Sequence, residues 1–193
     1  MQLIVGLGNP GRKYRDSPHN LGANVCEEFA RLYRFATPVF QFESKLHIGT
    51  AFGKQIAVLQ PQTSMNLSGH AVAEALDSLA ITADKMILIF DDIELNAGKL
   101  RLRPAGGHGG HNGVRSVIQC IGTEQFPRIR IGIGRPENRT ELVDYLLSEM
   151  GHAYKELLQH TMHLAVRALE MTLEDGLNAA MNHFNRLPPG IEA

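Results

Sequence analysis

The 193 residues suffice for one well-buried core and are few for two, so length alone points to a single domain spanning residues 1–193. With 44% hydrophobic residues, no repeat, no low-complexity tract and no apolar stretch near the ~20 residues of a membrane span, composition excludes the disordered, solenoid and membrane-spanning classes. The formal net charge of −1 carries no overall signature of a nucleic-acid partner, yet Lys99 to Arg139 gathers eight basic residues against Glu124 and Glu137, a local net charge of +6. The chain opens directly on the apolar Leu3, Ile4 and Val5 without a charged leader, and Cys26 and Cys120 sit among apolar neighbours. Both features predict an unprocessed cytoplasmic protein with two buried thiols and no disulfide.

In chain order, Gln2 to Gly6 reads as a short buried strand, followed by the glycine- and proline-rich loop GLGNPGRKYRDSPHN and an amphipathic helix over Leu21–Tyr33, with Asn20 placed to cap it. Lys45–Phe52 and Gln55–Leu59 flank a Gly53-Lys54 turn as a hairpin, which ends in the loop PQTSMN. A helix over Ser68–Leu79 leads to the strand Met86–Phe90, whose unbroken apolar run suits burial on both sheet faces, and this strand runs into Asp91 and Asp92. The strand Lys99–Arg103 alternates basic and apolar side chains, so Lys99, Arg101 and Arg103 share one face. After GGHGGHNG come a helix over Gly113–Ile121, the strand Arg128–Ile133, and helical segments from about Glu141 to Asn185, with a short tail over 187–193. Strands alternating with helices predict an α/β fold with a mixed, twisted sheet between helical layers. In such sheets ligands bind beyond the carboxyl ends of the strands, where the loops bearing Asn9, His19, Asn66 and Asp91 are expected to meet.

Gly6-Leu7-Gly8-Asn9-Pro10-Gly11 fits the GxGxxG pattern of dinucleotide sites, but the helix that must start inside the glycine turn is missing. Pro10 and Pro18 bracket a loop instead. His19 acquires a chemical role if Asp91 accepts a hydrogen bond from its ring, because a carboxylate orients an imidazole and stabilises its protonated form. Water would then be the nucleophile, since no serine or cysteine lies in an elbow-like GxSxG setting. Asn9, Asn66 and Asn112, in loops expected to converge, suit recognition of a peptide backbone and of a developing oxyanion, and Met65 suits a cleft wall. A metal site built from His19, His108 and His111 is a weaker reading: glycines flank both loop histidines, no carboxylate or thiolate lies among them, and the following helix N-terminus favours an anion.

Taken together, GLGNPG, the His-Asn-Leu-Gly of residues 19–22, PQTSMNLSG, DDIEL, GGHGGHNG and RIRIGIGRP resemble, in order and from Leu3 to about Asn185, the successive signatures of the bacterial-type peptidyl-tRNA hydrolases. The resemblance implies a monomeric, cofactor- and metal-independent cytoplasmic enzyme that frees tRNA from peptidyl-tRNA. It casts His19 as general base, Asp91 as the group holding its ring, Asn9 and Asn66 as positioning the peptide and its carbonyl, and Asn112 as a substrate or water ligand. Met65 and His111 would line the peptide cleft, Arg103 and Arg130 would clamp the 5'-phosphate of tRNA, and the segment from Glu141 to Met150 would form a lid. Departures from the family pattern at Pro18, Ser64, Phe90 and Glu94 remove none of these groups. The competing expectation is a protein of similar fold that binds tRNA through the Lys99–Arg139 face without cutting it.

Overall fold

A computed structural model describes residues 1–136, 142–148 and 151–189. Its strands are β1 (Gln2–Gly6), β2 (Val39–Gln41), β3 (Ser44–Ala51), β4 (Lys54–Pro61), β5 (Met86–Asp92), β6 (Leu100–Arg103) and β7 (Arg128–Gly132). They form one mixed sheet in the order β2-β3-β4-β1-β5-β7-β6. The inner strands β4, β1, β5 and β7 run parallel, while β2, β3 and β6 join antiparallel. Parallel strands buried on both faces need continuous apolar runs, and Leu3-Ile4-Val5 and Met86–Phe90 supply them.

The period-2 alternation of these strands feeds two cores. Ile4, Val58, Ile87, Ile89 and Ile129 face α1 (Leu21–Leu32), α5 (His152–Glu174) and α6 (Leu177–Phe184). Leu3, Val5, Leu59, Leu88 and Phe90 face the other way, toward α2 (Ser68–Ser78) and α3 (Asn112–Ile121). The amphipathic spacing predicted for α1 is realised by Leu21, Val25, Cys26 and Phe29, all buried. A short helix, α4 (Leu142–Leu147), precedes α5.

Three sequence-based expectations change. The edge strand β2 was not anticipated: its three residues are all exposed, too few and too uniformly solvated to show alternation. Asn20 occupies the N-cap position of α1 without making a side-chain cap bond. Cys120 is only half-buried, whereas Cys26 is fully buried and burial pushes its thiol far up; both cysteines are free. At the opposite edge, the Asn185 side chain pairs with the backbone of Leu102, accepting from its N–H at 2.7 Å and donating to its carbonyl at 3.2 Å. That amide occupies the edge of β6 as a further strand would.

Candidate active site

The carboxyl ends of β1, β4 and β5 bring Asn9, Asn66 and Asp91 to one end of the sheet, and the turn Pro18–Asn20 before α1 adds His19. Two glycines set how closely α1 lies on the strands. A Cβ on Gly22 would stand 2.2 Å from the Ile89 carbonyl oxygen, and one on Gly6 would stand 2.3 Å from the Gly22 carbonyl oxygen. This contact presses the start of α1 onto β5 and holds His19 against Asp91. Gly22→Ala is therefore expected to push the helix outward and to lower both thermal stability and turnover, at least tenfold in kcat; thermal melting and initial rates on the same preparation check it.

His19 is 8% exposed and Asp91 2%. The imidazole Nδ1 lies 2.8 Å and 3.0 Å from the two Asp91 carboxylate oxygens. A carboxylate only accepts, so Nδ1 carries the proton and Nε2 keeps its lone pair, with no partner among the described residues. Burial acts to lower the pKa of His19, but the charge of Asp91 and the hydrogen bond to it outweigh burial and raise it. For Asp91 burial acts upward, and the charges and hydrogen bonds of His19 and His111 hold it well below the usual carboxylate range. The pair is thus an ionised carboxylate behind an imidazole able to take a proton at Nε2.

His111 does more than line a cleft. Its Nε2 lies 3.1 Å from Asp91 Oδ1, and its Nδ1 accepts from the backbone N–H groups of Gly113 and Val114 at 3.1 Å and 3.3 Å, capping α3. The rings of His19 and His111 are 4.9 Å apart. His19, Asp91 and His111 present donor atoms within 4.8 Å of one another, a spacing that admits a metal reading. The donor chemistry opposes it: with two N–H groups directed at Nδ1, the proton of His111 sits on Nε2, and a cation there would require an imidazolate. His108, the third histidine of that reading, turns its Nδ1 to the Gly110 N–H at 3.0 Å.

The asparagines divide into two kinds. Asn9 is clamped, its backbone N–H donating to Asn20 Oδ1 at 2.8 Å and its carbonyl accepting from Asn20 Nδ2 at 2.9 Å. Its own Oδ1 accepts from the Met65 N–H at 3.0 Å, leaving Nδ2 without a partner among the described residues. Asn66 and Asn112 are exposed, and Met65 is buried against α3 beside Gly113. Asn20, read from sequence as a helix cap, is instead the brace of Asn9; a side chain bonding eleven residues back leaves no local signal.

A cavity of about 280 Å³ opens on the dyad, with His19, Asp91, His111 and Asn112 on one side and Val143 and Leu146 of α4 on the other. Of the segment expected as a lid, Glu141, Glu149 and Met150 lie outside the described residues. The Tyr145 hydroxyl donates to the Ile133 carbonyl at 2.5 Å, and the Tyr154 hydroxyl meets the same carbonyl, fastening α4 and α5 to the end of β7. A second cavity, of about 350 Å³, lies beside the GGHGG loop and is walled by Arg103, Arg128 and Arg130. Arg130 Nε donates to Asp92 Oδ2 at 2.5 Å, and Arg103 is exposed. The alternation of β5 that turns Asp91 to His19 turns Asp92 to Arg130, a role the sequence did not reveal.

The basic stretch is less uniform than its charge count implied. Arg128 is 2% exposed, donates to the carbonyls of Gly107 and Glu124 at 3.1 Å and 3.0 Å, and lies over the Phe126 ring. Burial lowers it to about 10, and its donors tie the glycine loop to the Glu124 turn. Arg135 pairs with Glu94, and Arg139 lies outside the described residues.

Fold and site together define an α/β protein with an imidazole–carboxylate pair at the carboxyl ends of a parallel-centred sheet. The sequence profile described as Peptidyl-tRNA hydrolase matches residues 3–190, and the chain belongs to that family. It is similar to the peptidyl-tRNA hydrolase of Geobacillus thermodenitrificans, 42% identical over 185 residues that cover 96% of this chain and all of that protein. It is also similar to that of Oceanobacillus iheyensis, 41% identical over 96% of this chain and all of that protein. Among solved structures, a peptidyl-tRNA hydrolase from Acinetobacter baumannii superposes with a TM-score of 0.92 at 31% identity, covering 98% of this chain and 96% of that one.

Proposed function

We propose that this protein hydrolyses the ester bond joining a peptide, or an N-blocked amino acid, to the 3' end of tRNA, releasing both. The observation that carries this reading is the pairing of His19 with buried Asp91 at an open cleft, in a chain of the peptidyl-tRNA hydrolase family. RNA binding alone does not need an imidazole held against a buried carboxylate, whereas activation of water does.

His19 Nε2 takes a proton from water as the water oxygen bonds to the ester carbonyl carbon. The C–O bond to the ribose then breaks, and the proton on Nε2 passes to the departing ribose oxygen. Asp91 keeps Nδ1 protonated and offsets the charge of the imidazolium. The unpartnered Asn9 Nδ2 and the exposed Asn66 amide are the donors for the carbonyl as negative charge builds, a contribution of about 10²-fold or more from one donor. Asn112 binds substrate or its water, and Met65 with His111 forms the wall of the peptide subsite. The reaction draws on side chains and water alone, without a cofactor, and the chain acts as a monomer, a state that sedimentation of the purified protein checks. Its substrate arises in translation, which fits a cytoplasmic location.

Arg103 and Arg130 form the anion site in the neighbouring cavity and hold the 5'-phosphate of tRNA. Asp92 turns the Arg130 fork, leaving its terminal nitrogens for phosphate oxygens. Such contacts position without reading sequence, which suits an enzyme that accepts many tRNAs. Arg103→Ala and Arg130→Ala are each expected to raise KM about tenfold with kcat nearly unchanged, in hydrolysis of N-acetyl-aminoacyl-tRNA. Removing the 5'-phosphate should impose a similar penalty on the wild type and little more on the variants. A variant that falls as far below wild type on dephosphorylated tRNA as on phosphorylated tRNA would remove Arg103 and Arg130 from this role.

A further inference from the structure

We infer that His111 is a positioning residue whose fixed tautomer reserves the proton-accepting role for His19. The two histidines contact the same carboxylate, and either imidazole beside an aspartate has the chemistry of a general base. Their second nitrogens differ. His19 Nε2 has no partner among the described residues, whereas His111 Nδ1 accepts two backbone N–H groups at the start of α3. A proton on that Nδ1 would break both cap bonds and set positive charge at the positive end of a helix. The proton of His111 therefore sits on Nε2, directed at Asp91 Oδ1, and no lone pair of this ring is available to the cleft.

The consequence for His19 has a definite sign. Donation from His111 stabilises the Asp91 anion, which weakens the pull of Asp91 on the His19 proton. His111 thus keeps the imidazolium of His19 from becoming too stable to release its proton to the leaving group, and it holds the carboxylate in the plane that His19 meets. The other titratable groups around this cavity are turned elsewhere. Asp92 faces Arg130, Glu94 faces Arg135, and His108 faces the Gly110 N–H. On α5, burial, Tyr145 and the charge of Asp91 all hold Tyr154 as the neutral phenol.

The inference rests on His19 as the base, and His111→Asn separates the two claims. Asparagine is a strong N-cap, so the cap of α3 survives, but its side chain is too short to reach Asp91. Ring-labelled histidine NMR of the wild-type chain should show His111 as the Nε2–H tautomer. In His111→Asn the His19 titration should rise by about one pH unit, the loss of one hydrogen bond to a charged acceptor, and the acid limb of kcat/KM should move with it. Thermal melting should stay near wild type in His111→Asn and fall in His111→Ala, which loses the cap as well. An Nδ1–H tautomer of His111, or an unmoved His19 titration in a folded His111→Asn, would overturn the inference. Should His19→Ala keep full activity, the base assignment fails instead, while the tautomer and the His19 titration still report on His111.

Discussion

Replacing His19 by alanine is expected to lower kcat for N-acetyl-aminoacyl-tRNA by about 10²–10⁴-fold while leaving tRNA affinity within about twofold. The loss is bounded because the substitution deletes proton transfer and leaves the amides of Asn9 and Asn66 in place. Affinity is retained because His19 is nearly buried at the cleft floor, and Arg103 and Arg130 stand in a separate cavity. Rapid-quench turnover and filter binding on one preparation read the two quantities apart. A comparable loss of binding would mean that His19 holds substrate rather than activating water.

Asp91→Asn should cost a similar factor, about 10²–10⁴-fold, by a different route. In the wild type the carboxylate raises the pKa of His19 against the opposing effect of burial. Without it burial alone remains, so His19 titrates below its ordinary value and becomes a weaker base. Activity of the wild type should fall as pH drops through the raised value, and the acid limb of the variant should lie at lower pH. An asparagine can also present its Nδ2 to the ring, favouring the tautomer with the proton on Nε2, where it is useless for catalysis. The same contact governs stability, counted once for the pair. As seen from His19, its contribution is full below the unfolded histidine pKa and is lost as pH rises through the raised folded value. As seen from Asp91, it is present above the unfolded carboxylate pKa and is lost as pH falls through the depressed one. The stability advantage of wild type over Asp91→Asn should therefore be greatest between those two ranges, as chemical denaturation across pH will test.

The sequence made the frame and the dyad legible for local reasons. The apolar runs ending at Val5 and Phe90 place Asn9 and Asp91 at strand ends, and strand-end loops in such sheets converge. What stayed hidden depends on side chains meeting across the fold. Asn20 reaches back to Asn9, His111 reaches Asp91 while capping its own helix, and Asp92 crosses to β7. A charge count records the Arg128 guanidinium but not what surrounds it, and buried carbonyls take this one. The edge strand β2 was too short for periodicity to register.

Whether His19 is the base is read by two measurements on one sample of the wild-type protein in excess chelator. One is the pH dependence of kcat/KM for N-acetyl-aminoacyl-tRNA, and the other is the titration of the His19 ring by NMR. Base catalysis by His19 requires chelator-resistant hydrolysis that declines with falling pH along the His19 titration; no hydrolysis, or a rate that stays flat while His19 takes up its proton, would contradict it.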